Sequence, residues 1–471
     1  MKKDKRIFVK AVSLLSAVVM MSSVFAGCAK DTSDKDEQGR TIISVGGAPS
    51  TPGLQGDTFT PRKDAFEKNN PDVVIEPDTW VYNLKTFYAK AAGGQLPTVF
   101  DSAFTEIPQV VDAGYAADLT EVLKKRGYDG MFNEKIIETV TRDGKIYSMP
   151  RNAYVLGLAC NIELFEKAGL LESDGTPKQP KNWDEVTEFA VKIKETTGVP
   201  GLVLTTANNA GGWIFTNIAW SFGTDFMEKD KDGKWKATFD SKECAEALQW
   251  VKDLKWKYDV LPSNTLIDNG EVRKVFGTES AAMFISAGNI PPLCVQYGMD
   301  VDKIGMMALP AGPKRHVTLF GGGVSFVSEG ATEDQIDACV RWYESLYNYK
   351  VTDEYKKNKE NEMKRQLDEG QLIGIKGMSV WSSKSETNRF ENELIDKYAN
   401  SNPNHVRLYN EFVANCPAEI QAEEPVCAQE LYAILDSCIQ AVLTNKNANP
   451  AEILKKANAD FQANYLDNLT Y

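Results

Sequence analysis

Aromatic, amide and carboxylate side chains occur together in four polar stretches that lie within or after apolar, β-rich runs: "PDTWVYN", "VFDSAFTE", "PRNAY" and "TTANNAGGW". A sugar ring presents C–H faces that pack on aromatic rings, and its hydroxyls bond to acidic, amide and guanidinium groups. These stretches supply both kinds of group, which is the chemistry of a carbohydrate cleft. The candidate binding residues are Trp80, Tyr82, Asp101, Phe104, Glu106, Arg151, Tyr154, Asn208, Asn209 and Trp213.

Each aromatic candidate has a second interpretation, because Trp and Tyr are heavily buried on average and any one of them can belong to the core. Core or surface packing is the favoured interpretation for Trp220, Trp250 and Trp256, which lie in helical patterns.

The common catalytic and metal-binding motifs are absent from the sequence. G-x-S-x-G, G-x-x-x-x-G-K-[ST] and H-E-x-x-H do not occur. Acidic residues are plentiful, but sequence alone cannot pair two of them as glycosidase carboxylates. "EKDKDGKW" begins like a calcium loop, yet its twelfth position is Phe239, which has no carboxylate, so Asp232-Gly233 instead predicts a hairpin turn. We therefore predict no enzymatic activity, no metal site and no cofactor.

The cysteines do not form the pattern of a disulfide framework. Apart from Cys28 there are seven, an odd number, and they are widely scattered. No C-x-x-C occurs and only two histidines are present, which argues against a zinc site. A disulfide between Cys416 and Cys427 remains an open alternative.

Length and charge limit the class of protein further. A chain of 471 residues exceeds the usual size of one hydrophobic core, so two lobes are expected. The chain has 53 Lys and Arg against 66 Asp and Glu, a formal net charge of −13. This acidic balance argues against nucleic acid as a partner.

The first 40 residues read as an export signal followed by a tether. A basic start and the apolar run "AVSLLSAVVMM" are the n-region and h-region of a signal peptide over residues 1–27. "SVFAGC" resembles the lipobox of bacterial lipoproteins, in which Cys28 is lipidated, although Phe25 stands where an aliphatic residue is usual. Ordinary secretion is the alternative. The polar segment at 28–40 is predicted to be disordered, and the body is expected on the extracellular face of the cytoplasmic membrane.

The elements that must position the candidate residues alternate between strand and helix. "TIISV", "DVVIE" and "LPTVF" read as strands, with "RKDAFEKNNP" helical between the first two. "GLVL", "AAMFIS", "IGMMALP" and "GGVSFVS" read as further strands, and Asp143-Gly144 as a hairpin turn. Asn182 is expected to cap a helix, and Asn449-Pro450 to open the last one. The pattern predicts an α/β fold.

Six motifs in this order carry a specific resemblance: "DGKIYSMP", "LACNIELFEKAGL", "PKNWDE", "ESAAMFISAG", "IGMMALPAGP" and "FGGGVSF". Together they resemble the family 1 extracellular solute-binding proteins, over nearly all of the mature chain. The resemblance implies a two-lobed periplasmic-binding-protein-like fold of type II, with a ligand cleft between the lobes and closure by hinge motion. It places residues 41–150 and 326–375 in an N-terminal lobe, and 151–325 and 376–471 in a C-terminal lobe.

The resemblance also implies three further site residues. Asn289 stands where many relatives carry a Trp that stacks on sugar, and Trp381 is the candidate replacement. Gly322, within the Gly321–Gly323 run, is expected either to let backbone approach a ligand or to supply slack at the hinge.

The sequence thus predicts a monomeric, lipid-anchored receptor that captures a carbohydrate, expected to be an oligosaccharide, and delivers it to the permease subunits of an ABC importer. Two alternatives remain open at this level. One is a surface-anchored polysaccharide hydrolase, which needs two carboxylates about 5–10 Å apart. The other is a receptor of the same fold for a peptide or a polyamine.

Overall fold

The computed structural model describes residues 34–54, 56–287 and 290–469. The predicted signal peptide, Cys28 and Asn289 lie outside the described residues. Residues 34–40, predicted as part of a disordered tether, form a turn. Asp36 Oδ1 accepts hydrogen bonds from the backbone N–H groups of Gln38 and Arg40, and Lys35 Nζ lies 2.9 Å from Asp334 Oδ2.

The described residues fold into an α/β arrangement of short strands and longer helices. The strands are β1 (Thr41–Val45), β2 (Val73–Pro77), β3 (Val99–Ala103), β4 (Thr141–Arg142), β5 (Lys145–Ile146), β6 (Ser148–Val155), β7 (Gly157–Asn161), β8 (Met227–Lys229), β9 (Trp235–Ala237), β10 (Met283–Ser286), β11 (Ile304–Ala308), β12 (Val317–Val327) and β13 (Glu419–Gln421). The helices are α1 (Phe59–Asn69), α2 (Leu84–Ala92), α3 (Thr120–Lys125), α4 (Glu134–Thr139), α5 (Ile162–Lys167), α6 (Trp183–Thr197), α7 (Ala210–Phe222), α8 (Lys242–Trp256), α9 (Asn269–Gly277), α10 (Leu293–Tyr297), α11 (Glu333–Glu344), α12 (Asp353–Asp368), α13 (Glu386–Tyr398), α14 (Arg407–Asn415), α15 (Ala428–Thr444) and α16 (Pro450–Asn464).

The larger sheet has the order β13-β12-β3-β1-β2, and β6 also pairs with β12. Strands β1, β2 and β3 are parallel, whereas β12 runs antiparallel to β3. The parallel part arises because α1 returns the chain from β1 to β2, as "RKDAFEKNNP" predicts.

Strands β6 and β12 form a long antiparallel pair that runs through the middle of the molecule. Pairing extends from Phe320 opposite Val155 to Phe326 opposite Ser148, with an irregularity between Gly323 and Val324. At one end β12 pairs with β3, and at its other end it pairs with β13. Strand β12 therefore contributes to both hydrophobic cores, with Phe320 in one and Leu319 in the other.

The smaller sheet, β10-β7-β11, is antiparallel and is buried on both faces. Successive side chains of a strand point to opposite faces, so Ala159 packs with the core around β1 and β3, whereas Leu158 and Cys160 pack in a second core. The second core also contains the apolar face of α15, including Leu435 and Ile439.

Most local predictions are confirmed. Asp143 and Gly144 have φ of 51° and 76° and turn β4 into β5. The side chain of Asn182 accepts from the N–H of Glu185 at the start of α6, and Pro450 opens α16.

The "GLVL" segment at residues 201–204 is buried but is not a strand, so that prediction is wrong. The N–H of Leu202 donates to Val260 O and the N–H of Val203 to Met283 O, so neighbouring residues bond to different partners and no ladder forms. A Cβ on Gly201 would lie 2.2 Å from Ala190 O, which indicates that this segment packs directly on α6.

All seven cysteines in the described residues are free, including Cys416 and Cys427. No helix in that part of the chain is long and apolar enough to cross a membrane.

Candidate functional site

A cavity of about 370 Å³ opens at the carboxyl ends of the parallel strands β1 and β2, beside the first residues of β3. Ligands of open α/β sheets bind at this edge because the loops that follow the strands converge there. Seven of its lining residues carry rings or charges: Phe59, Arg62, Trp80, Tyr82, Phe100, Asp101 and Trp342.

Trp80 and Tyr82 follow β2 and form an aromatic wall of this cavity, as the sequence predicts for residues after that strand. Their ring centroids lie 6.0 Å apart, and Trp80 also packs edge-on against Phe100 of β3 at 5.6 Å. Both rings are half-buried. A ring held on one side by other rings and partly open on the other can stack on an apolar ligand face.

Arg62 and Trp342, which the sequence analysis missed, also line this cavity. The Arg62 guanidinium lies 3.6 Å from the centre of the Trp342 ring, and its Nε donates to Ser345 Oγ at 2.9 Å. Burial lowers the pKa of Arg62 to about 10, so the group stays charged at neutral pH. Because 280 residues separate the two along the chain, no local motif could have indicated this pair.

Asp101 joins this cavity to the central strand pair. It lies inside β3 rather than in a loop after it, because the strand runs to Ala103, beyond the predicted end at Phe100. Its Oδ2 accepts from Arg151 Nη1 at 2.8 Å, and its Oδ1 accepts from Ser325 Oγ at 2.6 Å. Arg151 Nε is buried without a hydrogen-bond partner. Asp101 and Arg151, both predicted as binding residues, are therefore in contact, and Arg151 Nε remains a donor without an acceptor.

Three consecutive glycines of β12 make room for side chains and backbone of β6. A Cβ on Gly321 would lie 2.2 Å from Tyr154 Oη, and a Cβ on Gly323 would lie 2.7 Å from Arg151 Nη2. Gly322 has φ of +142°, and its Cβ would lie 2.1 Å from Asn152 O. The glycine run therefore allows the side chains of Arg151 and Tyr154 to lie across β12. This role differs from both roles predicted for Gly322, which were approach of the backbone to a ligand and slack at the hinge.

A second cavity, of about 220 Å³, is lined by Tyr154 and Trp213 together with Thr205, Arg273 and Ser286. Trp213 lies in the first turn of α7 rather than in a loop, and the centroid of its ring is 6.4 Å from that of Tyr154. Burial raises the pKa of Tyr154 to about 12, so its hydroxyl stays protonated and can donate a hydrogen bond. Arg273 was not predicted from sequence.

Two carboxyl groups lie near these aromatic rings. Trp213 Nε1 donates to Glu423 Oε1 at 2.9 Å, and Tyr82 Oη donates to Glu106 Oε2 at 2.7 Å. Burial raises the pKa of both carboxyls, and the charge of Glu423 raises that of Glu106 further. Glu423, like Arg62, Trp342 and Arg273, was not predicted from sequence.

Asn208 and Asn209 have their amides engaged within the protein. Both have positive φ, 57° and 67°, immediately before α7. Asn208 Nδ2 donates to Asp268 Oδ2 at 3.0 Å, and Asn209 Nδ2 donates to Gln429 Oε1 at 3.2 Å. The pair shapes the loop before Trp213 and does not line the second cavity.

Two predicted ligand contacts lie in the core instead. Phe104 is 2% exposed and packs on Phe320 at 4.5 Å. Trp381 is 5% exposed and stacks on Phe132 at 5.1 Å, in the core around β1 and β3, so the structure does not bring it to either cavity.

Strand β6 connects the two cavities. Arg151 bonds to Asp101 of the first cavity, and Tyr154 lines the second. Three residues along a strand span about 10 Å, the length of a short saccharide. Within residues 34–54, 56–287 and 290–469, no group of three His, Cys, Asp or Glu is placed to hold a metal ion.

A mixed sheet that contains the β6–β12 pair, a separate antiparallel sheet and two hydrophobic cores make up a fold that matches the type II periplasmic binding proteins. The cyclic α-maltosyl-1,6-maltose-binding protein of Arthrobacter globiformis has the same fold, with a TM-score of 0.58 at 22% identity over 90% of this chain and 99% of that one. A model of the bacterial extracellular solute-binding protein family matches residues 51–345. The chain belongs to that family, which confirms the predicted resemblance.

The curated relatives that match this chain are also binding proteins, and the matches cover only part of each sequence. A Brucella abortus binding protein is 26% identical over 261 residues, 55% of this chain and 61% of the relative. The chain thus spans less than two thirds of that relative. The maltodextrin-binding protein MdxE of Bacillus subtilis is 22% identical over 353 residues, 72% of this chain and 76% of its own length.

Proposed function

We propose that this protein captures a carbohydrate in a cleft formed by the two cavities and delivers it to an ABC importer. The observation that carries the proposal is the composition of the first cavity, where the half-buried rings of Trp80 and Tyr82 face a cavity that also exposes Asp101 and Arg62. Rings for the C–H faces and charged groups for the hydroxyls are what a sugar requires.

The names of two similar proteins support a carbohydrate over a peptide or a polyamine. One relative is a maltodextrin-binding protein, and one solved neighbour binds cyclic α-maltosyl-1,6-maltose. The cationic alternatives need acidic, aromatic-poor walls, whereas the first cavity is aromatic and contains Arg62. The mechanism is a change between open and closed arrangements, without bond chemistry.

The predicted division into lobes is part of this proposal. Residues 41–150 and 326–375 form the lobe that holds the first cavity, and residues 151–325 and 376–471 form the lobe that holds the second. Lipidation of Cys28, acting through two acyl chains, would keep the monomeric receptor beside its permease. A Cys28→Ser variant should then be released from membranes, whereas a Cys427→Ser variant should remain bound.

A thermal-shift screen against neutral oligosaccharides, acidic sugars, peptides and polyamines tests the central claim, since a ligand of the native state raises the melting temperature. A shift with one class of sugar, without product on incubation, is the expected result. A shift with peptides or polyamines alone would contradict the proposal, and release of reducing sugar would identify a hydrolase instead.

A further inference from the structure

Arg273 of α9 carries a positive charge at the second cavity. It lines the cavity with Thr205, Trp213 and Ser286, and its Nε is buried and unbonded. Among the described residues it makes no ion pair or side-chain hydrogen bond, in contrast to Arg126, which bonds to Glu344 at 3.0 Å, and to Arg341, which bonds to Asp72 at 2.8 Å. A half-buried guanidinium without acceptors has lost part of its hydration, and no hydrogen bond within the protein compensates for that loss.

The carboxylates nearest to this cavity are already committed elsewhere. Asp436 accepts from the backbone N–H groups of Asn209 and Gly212, both at 2.7 Å. Asp268 accepts from Glu271 N at 3.0 Å, where it caps α9, and from Asn208 Nδ2. Glu423 accepts from Trp213 Nε1. None of these contacts involves Arg273, so its positive charge is not paired within the described residues and is open to a ligand.

We propose that the second cavity is a subsite for an anionic group, a carboxylate or a phosphate ester, carried by one residue of the sugar ligand. This rests on the proposed function and deepens it by naming the substrate class. Arg273 supplies the paired N–H donors that match such a group, Thr205 and Ser286 supply hydroxyls, and Trp213 with Tyr154 supplies ring faces for the pyranose. A volume of about 220 Å³ accommodates one sugar residue with its charged substituent.

The test is calorimetric titration of the purified full chain with matched ligands. The pairs are disaccharides that end in glucuronate or galacturonate and their neutral counterparts, with glucose 6-phosphate against glucose as the phosphate arm. We expect the charged member of one pair to bind about 10- to 100-fold more tightly, as a charge-assisted contact predicts. This preference should weaken as salt is raised, and the arm that shows it identifies the source of the anionic group.

Variants of Arg273 test whether this residue causes the preference for charged over neutral sugars. Arg273→Met keeps the length of the side chain and should abolish the charged-over-neutral preference while neutral binding persists, and Arg273→Lys should retain part of it. Lys274→Met removes an exposed charge one position away and should change neither. Because Arg273 has no partner to lose among the residues that the structure describes, the Arg273→Met protein should melt at or above the wild-type temperature, which separates a binding effect from misfolding.

Two results would overturn this inference and leave the proposed function standing. One is equal binding of charged and neutral sugars by the wild type. The other is a preference that persists in Arg273→Met. If neither kind of sugar binds, the proposed function and the inference fail together.

Discussion

Arg151 Nη1 lies 2.8 Å from Asp101 Oδ2, and this ion pair ties strand β6 to strand β3 at the first cavity. The Asp101 side chain remains 53% exposed although it also accepts a bond from Ser325 Oγ. A carboxylate that is held in place by other side chains and is open to solvent on one side is suited to accept hydrogen bonds from sugar hydroxyls. Binding residues in general need such supporting contacts to keep their geometry.

Asp101→Asn should therefore impair binding far more than folding. Exposed ion pairs contribute about 0–1 kcal/mol, so the free energy of unfolding should change little, whereas affinity for the sugar ligand should fall about tenfold or more. Titration calorimetry and urea unfolding measure the two effects. Asp112→Asn is the matched control, because Asp112 makes a similar 2.8 Å pair with Arg142 but does not line either cavity. Equal affinity losses in both variants would contradict the assignment of Asp101.

The bond from Trp213 Nε1 to Glu423 Oε1 should contribute measurably to stability. Trp213→Phe removes the donor and leaves a largely buried carboxylate without it, so the free energy of unfolding at pH 7 should fall by about 1–3 kcal/mol. In a Glu423→Leu background, which has no acceptor oxygen, the same change should cost less. A double-mutant cycle by urea unfolding measures the coupling. Additive losses would show that the bond does not contribute.

Gly322→Ala should destabilise the joint between β6 and β12. A Cβ there would lie 2.1 Å from Asn152 O, on backbone that is already at φ of +142°. We expect a loss of about 3 kcal/mol or more, seen as a lower urea midpoint. Gly330→Ala is the control, because Gly330 also has positive φ, +85°, but open space around it, and should cost only about 1 kcal/mol. Similar losses in the two variants would show that the close contact does not matter.

The buried carboxyl of Glu424 should make stability depend on pH. Burial raises its pKa from 4.5 to about 7, and Trp220 Nε1 donates to its Oε1 at 3.0 Å. The folded state then holds a proton that the unfolded state releases, so this contribution to stability is complete below about pH 4.5 and is lost as pH rises through 7. Relative to Glu424→Gln, the wild type should lose on the order of 2–3 kcal/mol between pH 4.5 and 8 in urea unfolding. Parallel pH profiles of the two proteins would refute this.

Sequence was a good guide where one or two residues dictate the backbone. The left-handed turn at Asp143-Gly144, the cap at Asn182 and the proline at the start of α16 are local, and each is confirmed. It was also a good guide to family, because the order of several motifs is informative even when each motif is weak.

Sequence was a poor guide where burial depends on distant partners. Trp381 stacks on Phe132, and "GLVL" bonds to two separate segments, so neither environment could be predicted from neighbouring residues. Arg62, Arg273 and Glu423 were missed for the same reason. A lone charged residue in a helix or loop looks like surface until the fold places it beside a ring or in a cavity.

The paired strands β6 and β12 act mechanically as a two-stranded ribbon. A ribbon of this kind resists stretching and sliding because its cross-strand bonds would have to break, but it bends easily out of its own plane, most of all beside the irregularity at Gly323 and Val324. If the two lobes proposed above move, we expect them to follow this one soft direction. Since Arg151 and Tyr154 lie on this ribbon, such a movement would change the angle between the cavities and the spacing of their contacts together.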